Sequence, residues 1–85
     1  MTTMIIHGSP VDPYFCIHVV EDTIVKETKE TTINNLKDVI FNMITKYDIK
    51  HIAFSGHKSY MKGIQEQLST GNEWYSLYTL TYEFI

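Results

Sequence analysis

From Ile33 to Tyr47 the apolar side chains Ile33, Leu36, Val39, Ile40, Met43, Ile44 and Tyr47 recur at helical spacing, and Asn34, Asn35, Lys37, Asp38, Asn42 and Lys46 take the opposite side. That rhythm predicts a surface helix with one buried face. Thr31 or Thr32 supplies a hydroxyl for its N-cap, Asp48 marks its stop, and Lys46 lies near the negative end of the helix dipole. A second helix follows Gly56 and runs to Leu68, with Met61, Ile64 and Leu68 inward and Lys62, Gln65, Glu66 and Gln67 outward. Gly63 lies inside it at a cost of about 1 kcal/mol relative to alanine, which implies close packing against a neighbour or simple tolerance.

Elsewhere the period is two. Met4-Ile5-Ile6 predicts a short first strand, broken by a loop from His7 to Pro13 in which two prolines bracket Val11-Asp12. Tyr14 to Glu21 predicts a strand inside the sheet, with Phe15, Ile17 and Val19 alternating against Tyr14, Cys16, His18 and Val20. Glu21-Asp22 makes a tight turn into a polar strand from Thr23 to Thr31, whose Lys26, Glu27, Lys29 and Glu30 suit a solvated sheet edge. Ile49 to Phe54 is apolar on both faces towards its end, which predicts an interior strand covered on both sides. Flanked by the two helices, it reads as part of a parallel βαβ arrangement. After a stop at Ser69-Thr70-Gly71-Asn72, Glu73 to Ile85 predicts a long final strand. Trp74, Tyr78, Leu80, Tyr82 and Phe84 fall on one of its faces, and Tyr75, Leu77, Thr79, Thr81 and Glu83 on the other.

Composition narrows the class. Eighty-five residues make one domain, 1–85, and 44% hydrophobic against 20% charged residues is the balance of a folded chain rather than a disordered one. A chain of this length buries only about two thirds of its unfolded surface, so self-association would help its stability. A net charge of −3 gives no general basic surface for nucleic acid. Cys16 is the single cysteine, which excludes an intramolecular disulfide and a CxxC metal knuckle. No signal-peptide pattern is visible and the apolar runs are too short to span a bilayer, so a cytoplasmic protein without a membrane partner is expected.

The order of three strands, helix, strand, helix, strand resembles the core of the ribonuclease H-like superfamily, to which Holliday-junction resolvases and actin-like ATPases belong. Met4 to Pro10 is similar to its first strand and glycine loop, Tyr14 to Thr28 to its hairpin, and Ile49 to Gly56 to the strand after its first helix. The resemblance implies an α/β fold with a single mixed sheet, order β-β-β-α-β-α-β, and two amphipathic helices. It also implies a hydrolase that has lost its chemistry. Active members carry an Asp near the end of the first strand and an acid near the end of the strand after the first helix, which together hold divalent metal. The matching stretches here read Ile6-His7-Gly8-Ser9 and Phe54-Ser55-Gly56-His57, with no carboxylate in either, and hard cations need clustered oxygen ligands.

Two candidate sites remain. Ligands of open parallel sheets bind beyond the carboxyl ends of the strands, where His7, Ser9, Ser55, Gly56, His57 and Lys58 are expected, and the Gly56 turn aims helix N–H groups at the same spot, which favours an anion. The competing interpretation is a pair of ordinary loops, with Ser55 or Ser59 capping a helix. The second candidate is the aromatic tail: Trp74, Tyr75, Leu77, Tyr78, Tyr82 and Phe84 include the residue types of interface hot spots on a strand able to join another sheet. The four histidines contain no i, i+4 helical pair, so no metal ligation is expected, and no cofactor motif is present. Cys16 lies mid-strand, where a buried thiol is inert. The expected function is a non-catalytic α/β module acting through protein contact, as a homo-oligomer or an accessory subunit, similar in composition to small phage-encoded accessory chains. The alternatives are a domain binding an anion, a nucleotide or nucleic acid at His7 and Gly56-His57, and a degenerate nuclease acting through Asp12.

Overall fold

The structure, a computed structural model, describes residues 2–70 and 80–85. The chain runs β1 (Thr2–Ser9), β2 (Asp12–Glu21), β3 (Ile24–Thr32), α1 (Ile33–Tyr47), β4 (His51–Gly56), α2 (Lys58–Ser69) and β5 (Thr81–Phe84). One mixed sheet takes all five strands in the order β3-β2-β1-β4-β5. The meander β1–β2–β3 is antiparallel, whereas β4 pairs with β1 and β5 pairs with β4 in parallel.

Alternation sorts the strand residues onto two unlike faces. Met4 and Ile6 of β1 lie in register with Val19 and Ile17 of β2 and with Ile52 and Phe54 of β4. These residues and Phe15 form one buried cluster with Leu36, Ile40, Met43 and Ile44 of α1 and Met61, Ile64 and Leu68 of α2. Both helices therefore cover the same face, α1 over β2 and β3 and α2 over β4 and β5. Each fully buried side chain of this kind contributes about 1.5–3 kcal/mol, so this single layer is the main source of stability. The opposite face carries Thr3, Ile5 and His7 of β1, Cys16, His18 and Val20 of β2, and His51, Ala53 and Ser55 of β4. Among the described residues no helix packs there. β4 is interior to the sheet, as its apolar run predicts, but it is covered by helices on one face only; Ile52, Ala53 and Phe54 are nonetheless all buried.

Several boundaries move for physical reasons. The expected loop from His7 to Pro13 shrinks to a turn at Pro10-Val11, because His7 and Gly8 pair in parallel with Ser55 and Gly56. Cross-strand hydrogen bonding there outweighs the local glycine and proline signals. The β2–β3 turn falls on Asp22-Thr23 rather than Glu21-Asp22, and both residues take positive φ, 49° and 70°, the requirement of a type I′ hairpin. Thr32 holds the N-cap position of α1, yet no threonine hydroxyl caps the helix; Thr31 Oγ1 donates instead to the Thr32 carbonyl. Ile33 opens the helix on its exposed side, so the buried stripe begins at Leu36. Asp48 ends α1 in the left-handed conformation, φ 53°. Of the long final strand, Thr81–Phe84 is strand, and Glu73 to Thr79 lie outside the described residues.

Two glycines set the end of the sheet. A β-carbon on Gly8 would come within 2.6 Å of the Phe15 ring, and one on Gly56, whose φ is +135°, within 2.3 Å of the Gly8 carbonyl oxygen. Gly8 and Gly56 are register partners, so β1 and β4 close against each other, with Phe15 underneath, only because neither residue has a side chain.

Candidate functional site

The carboxyl ends of β1 and β4 bring part of the expected anion site together. His7 and Ser55 are cross-strand partners, and their Nδ1 and Oγ atoms hydrogen-bond at 3.1 Å on the face without helices. His57 is the N-cap residue of α2 and makes no side-chain cap, and no acid occupies the first turn, where Lys58 begins the helix. Ser9 ends β1 and braces the turn after it: its Oγ accepts from the Val11 N–H at 3.3 Å, and Asp12 Oδ1 accepts from the Tyr14 N–H at 3.0 Å. A cavity of about 140 Å³ beside His7 is lined by Ser9, Asp12, Cys16 and Glu30 among others. Of the expected anion-binding residues only His7, Ser9 and no other line it; Ser55, Gly56, His57 and Lys58 do not. Its walls thus carry two carboxylates and no lysine.

A second, larger hollow of about 510 Å³ lies where the β1–β2 turn meets the starts of both helices, lined by Pro10, Val11, Pro13, Ile33 and Tyr60 over Phe15. Phe15 and Tyr60 stack at its base with ring centroids 6.3 Å apart. Asp12, Thr32 and Asn34 also line it, and the exposed Ile33 borders this hollow rather than the core.

At the other side of the molecule, β5 closes the sheet. Tyr82 and Phe84 point to the helix-covered face, where the Phe84 ring stacks on Phe54 at 5.5 Å and the Tyr82 ring meets Phe54 edge-on at 6.4 Å. Thr81 and Glu83 point to the other face, and both bind His51: Nδ1 is 2.6 Å from Thr81 Oγ1 and Nε2 is 3.0 Å from Glu83 Oε1. The N–H groups of Thr81 and Ile85 donate to Lys50 and Phe54 carbonyls of the β4 side at 3.0 and 2.9 Å. By strand alternation the N–H and C=O groups of Tyr82 and Phe84 face outward, away from β4. Tyr82 is 47% exposed and Ile85 63%. Of the expected interface residues, Tyr82 and Phe84 are therefore on an edge strand, and Trp74, Tyr75, Leu77 and Tyr78 lie outside the described residues.

The opposite edge is built differently. Glu27 of β3, expected to be solvated, accepts from the Tyr47 hydroxyl at 2.6 Å and from Lys46 Nζ at 3.0 Å, tying the end of α1 to the strand. The hydrogen bond from Tyr47, then that from Lys46, holds the Glu27 carboxyl below the usual carboxylate range. The same carboxylate raises Lys46 and Tyr47 above their ordinary values.

Sequence reasoning missed one group. Cys16 and His18 share the helix-free face, Cys16 Sγ lying 3.4 Å from His18 Nε2, while His18 Nδ1 is 2.9 Å from Thr28 Oγ1. The i, i+2 spacing on a strand was the available signal, because it places both side chains on one face. Among the described residues no three His, Cys, Asp or Glu side chains are grouped so as to hold a metal ion, and no helix is long and apolar enough to cross a membrane. Comparison of the chain with protein-family models, curated proteins and solved structures finds no match.

Proposed function

We propose that this chain is a non-catalytic protein-interaction module that self-associates, or docks on a larger assembly, through its aromatic C-terminal strand. The observation that carries this reading is the contrast between the two sheet edges. β3 carries exposed Ile24 and Val25 at its start, but from there on it is guarded by Lys26, Lys29 and Glu30 and strapped to α1 through Glu27, the arrangement that discourages pairing with another chain. β5 has four residues, one acid, an outward row of backbone groups at Tyr82 and Phe84, and two half-exposed apolar side chains in Tyr82 and Ile85. An incoming strand would extend the sheet by main-chain hydrogen bonds and cover those side chains.

The element order and the parallel pairing of β1 with β4 are in keeping with a ribonuclease H-like core, and we place the chain there as a proposal. In that reading His7 and Ser55 stand at the strand ends where active members carry acids, which supports a role without hydrolysis. The competing reading, an anion or nucleotide site at His7 and Gly56-His57, has less support, since Asp12 and Glu30 wall the adjoining cavity and would repel an anion.

Molar mass by light scattering tests the proposal. Wild type is expected above the monomer mass, and Tyr82→Pro, which removes an outward N–H without touching the bonds to β4, is expected to be a folded monomer. A wild-type monomer at every concentration, with no protein recovered in a pull-down and Tyr82→Ala only lowering stability, overturns it.

A further inference from the structure

We propose that the occupant of the β5 edge is the same strand of a second copy of this chain, paired antiparallel about a two-fold axis at Tyr82. This rests on the reading above and names its partner. The order of side chains around Tyr82 carries it. In Leu80-Thr81-Tyr82-Glu83-Phe84 an apolar residue stands two places to either side of the tyrosine, and the hydroxyl one place before it answers the carboxylate one place after. Turned end for end, the strand matches itself. Leu80 meets the partner's Phe84, Thr81 meets the partner's Glu83 and Tyr82 meets the partner's Tyr82. These are apolar, hydrogen-bonding and aromatic pairs, the kinds that stabilise neighbouring strands. A two-fold contact demands such self-matching, because each residue must suit its counterpart in both directions.

Backbone geometry allows this centre, and charge selects it. The N–H groups of Thr81 and Ile85 are bound to the β4 side. With no cis peptide bond among the described residues, the carbonyls of Leu80 and Phe84 therefore turn to the free side. The N–H groups of Tyr82 and Phe84 point the same way by alternation. Tyr82 N–H then donates to the partner's Tyr82 carbonyl and Phe84 N–H to the partner's Leu80 carbonyl, each bond made twice by symmetry. Moving the axis to Glu83 keeps outward groups opposed but sets two carboxylates directly across from each other, which is unfavourable. Moving it to Thr81 parts Phe84 from the partner's Leu80.

The rest of the molecule fits the same junction. An axis normal to the sheet keeps both helix layers on one side and joins two sheets edge to edge. Because α2 lies over β4 and β5 and strands are about 4.8 Å apart, the two copies of α2 come to about 10 Å from each other, the ordinary spacing of packed helices. Tyr82, 47% exposed, and Leu80 and Phe84, partly buried against the core, lie on that side and would be covered.

The test uses full-length chains in which Cys16→Ser removes the single native thiol. Thr81→Cys and Glu83→Cys are made in separate chains, mixed and oxidised with glutathione disulfide, and intact mass reads the products. The Tyr82 centre sets these two positions opposite each other at about 4.5 Å between α-carbons, within disulfide reach. The mixture is expected to cross-link several-fold more than either chain alone, and Tyr82→Pro in both chains should abolish the excess. Equal cross-linking of Glu83→Cys alone, or no excess in a mixture that light scattering shows to be associated, overturns the proposal while the reading above stands. Charge supplies a second measurement. Thr81→Lys and Thr81→Glu both lose the hydroxyl that meets His51, but a lysine there attracts the partner's Glu83 and a glutamate repels it. Sedimentation should show Thr81→Lys associating several-fold more tightly than Thr81→Glu at low salt, with the difference shrinking at high salt; equal affinities overturn the proposal. A monomeric wild type that captures a different protein, with capture lost in Tyr82→Pro, overturns the second copy and keeps the interaction reading. A monomer that captures nothing overturns both.

Discussion

Gly56 and Gly63 are the same residue under opposite constraints. Gly56 holds φ +135°, and a β-carbon there would meet the Gly8 carbonyl oxygen at 2.3 Å. Backbone cannot give way as a flexible side chain can, so Gly56→Ala should lower unfolding stability by about 1–3 kcal/mol, measured by urea titration. Gly63 lies in the middle of α2, and among the described residues nothing comes within 4 Å of its would-be β-carbon. None of the described residues supplies the close packing that was one of the two explanations the sequence left open, so helix propensity carries the expectation. Gly63→Ala should stabilise the protein by about 1 kcal/mol, a rise in melting temperature of about 4–8 °C for a domain of this size. The sequence showed both glycines but could not rank them, because space around a residue belongs to tertiary structure.

Elements with a long periodic face were legible, and elements fixed by cross-strand pairing were less so. The stripe from Leu36 to Ile44 and the Met61, Ile64, Leu68 stripe identify both helices and their buried faces. The extension of β1 through His7 and Gly8, by contrast, depends on β4, nearly fifty positions away in the chain, and local turn signals pointed the other way. The same limit hid the role of Glu27, whose partners Lys46 and Tyr47 sit on the next element. Its carboxyl is held below the ordinary carboxylate range in the folded state, so ionised Glu27 stabilises the fold at neutral pH, and this contribution is lost as the pH falls through the lowered folded value. Lys46 and Tyr47 are raised, so their share is complete below their ordinary values and lost in strong alkali. Glu27→Gln should therefore be less stable than wild type at pH 7, with a gap that closes on acidification below the carboxylate range, read from denaturation midpoints across pH. The surface position of the triad keeps the gap small.

Among the described residues, the helices protect one face of a five-stranded sheet and the charges of β3 guard most of one edge, so the β5 edge is where an added strand would bring further burial. A chain of 85 residues buries a smaller share of its surface than a larger domain does, so any further burial counts heavily against a total stability of about 5–15 kcal/mol. If strands from two copies meet at β5, folding and association are linked, and the folded state gains from mass action. The melting temperature of wild type should then rise with protein concentration over the range where light scattering reports association. Tyr82→Pro should melt at one temperature whatever its concentration, because it lacks the outward N–H but keeps the Thr81 and Ile85 bonds to the β4 side. Phe84→Ala offers the contrast: it removes the ring stacked on Phe54 at 5.5 Å, so it should lower the melting temperature of the monomer itself by an amount equivalent to about 2 kcal/mol. A wild-type melting temperature independent of concentration would rule out self-association through β5 and leave docking on another protein as the reading for the pull-down to test.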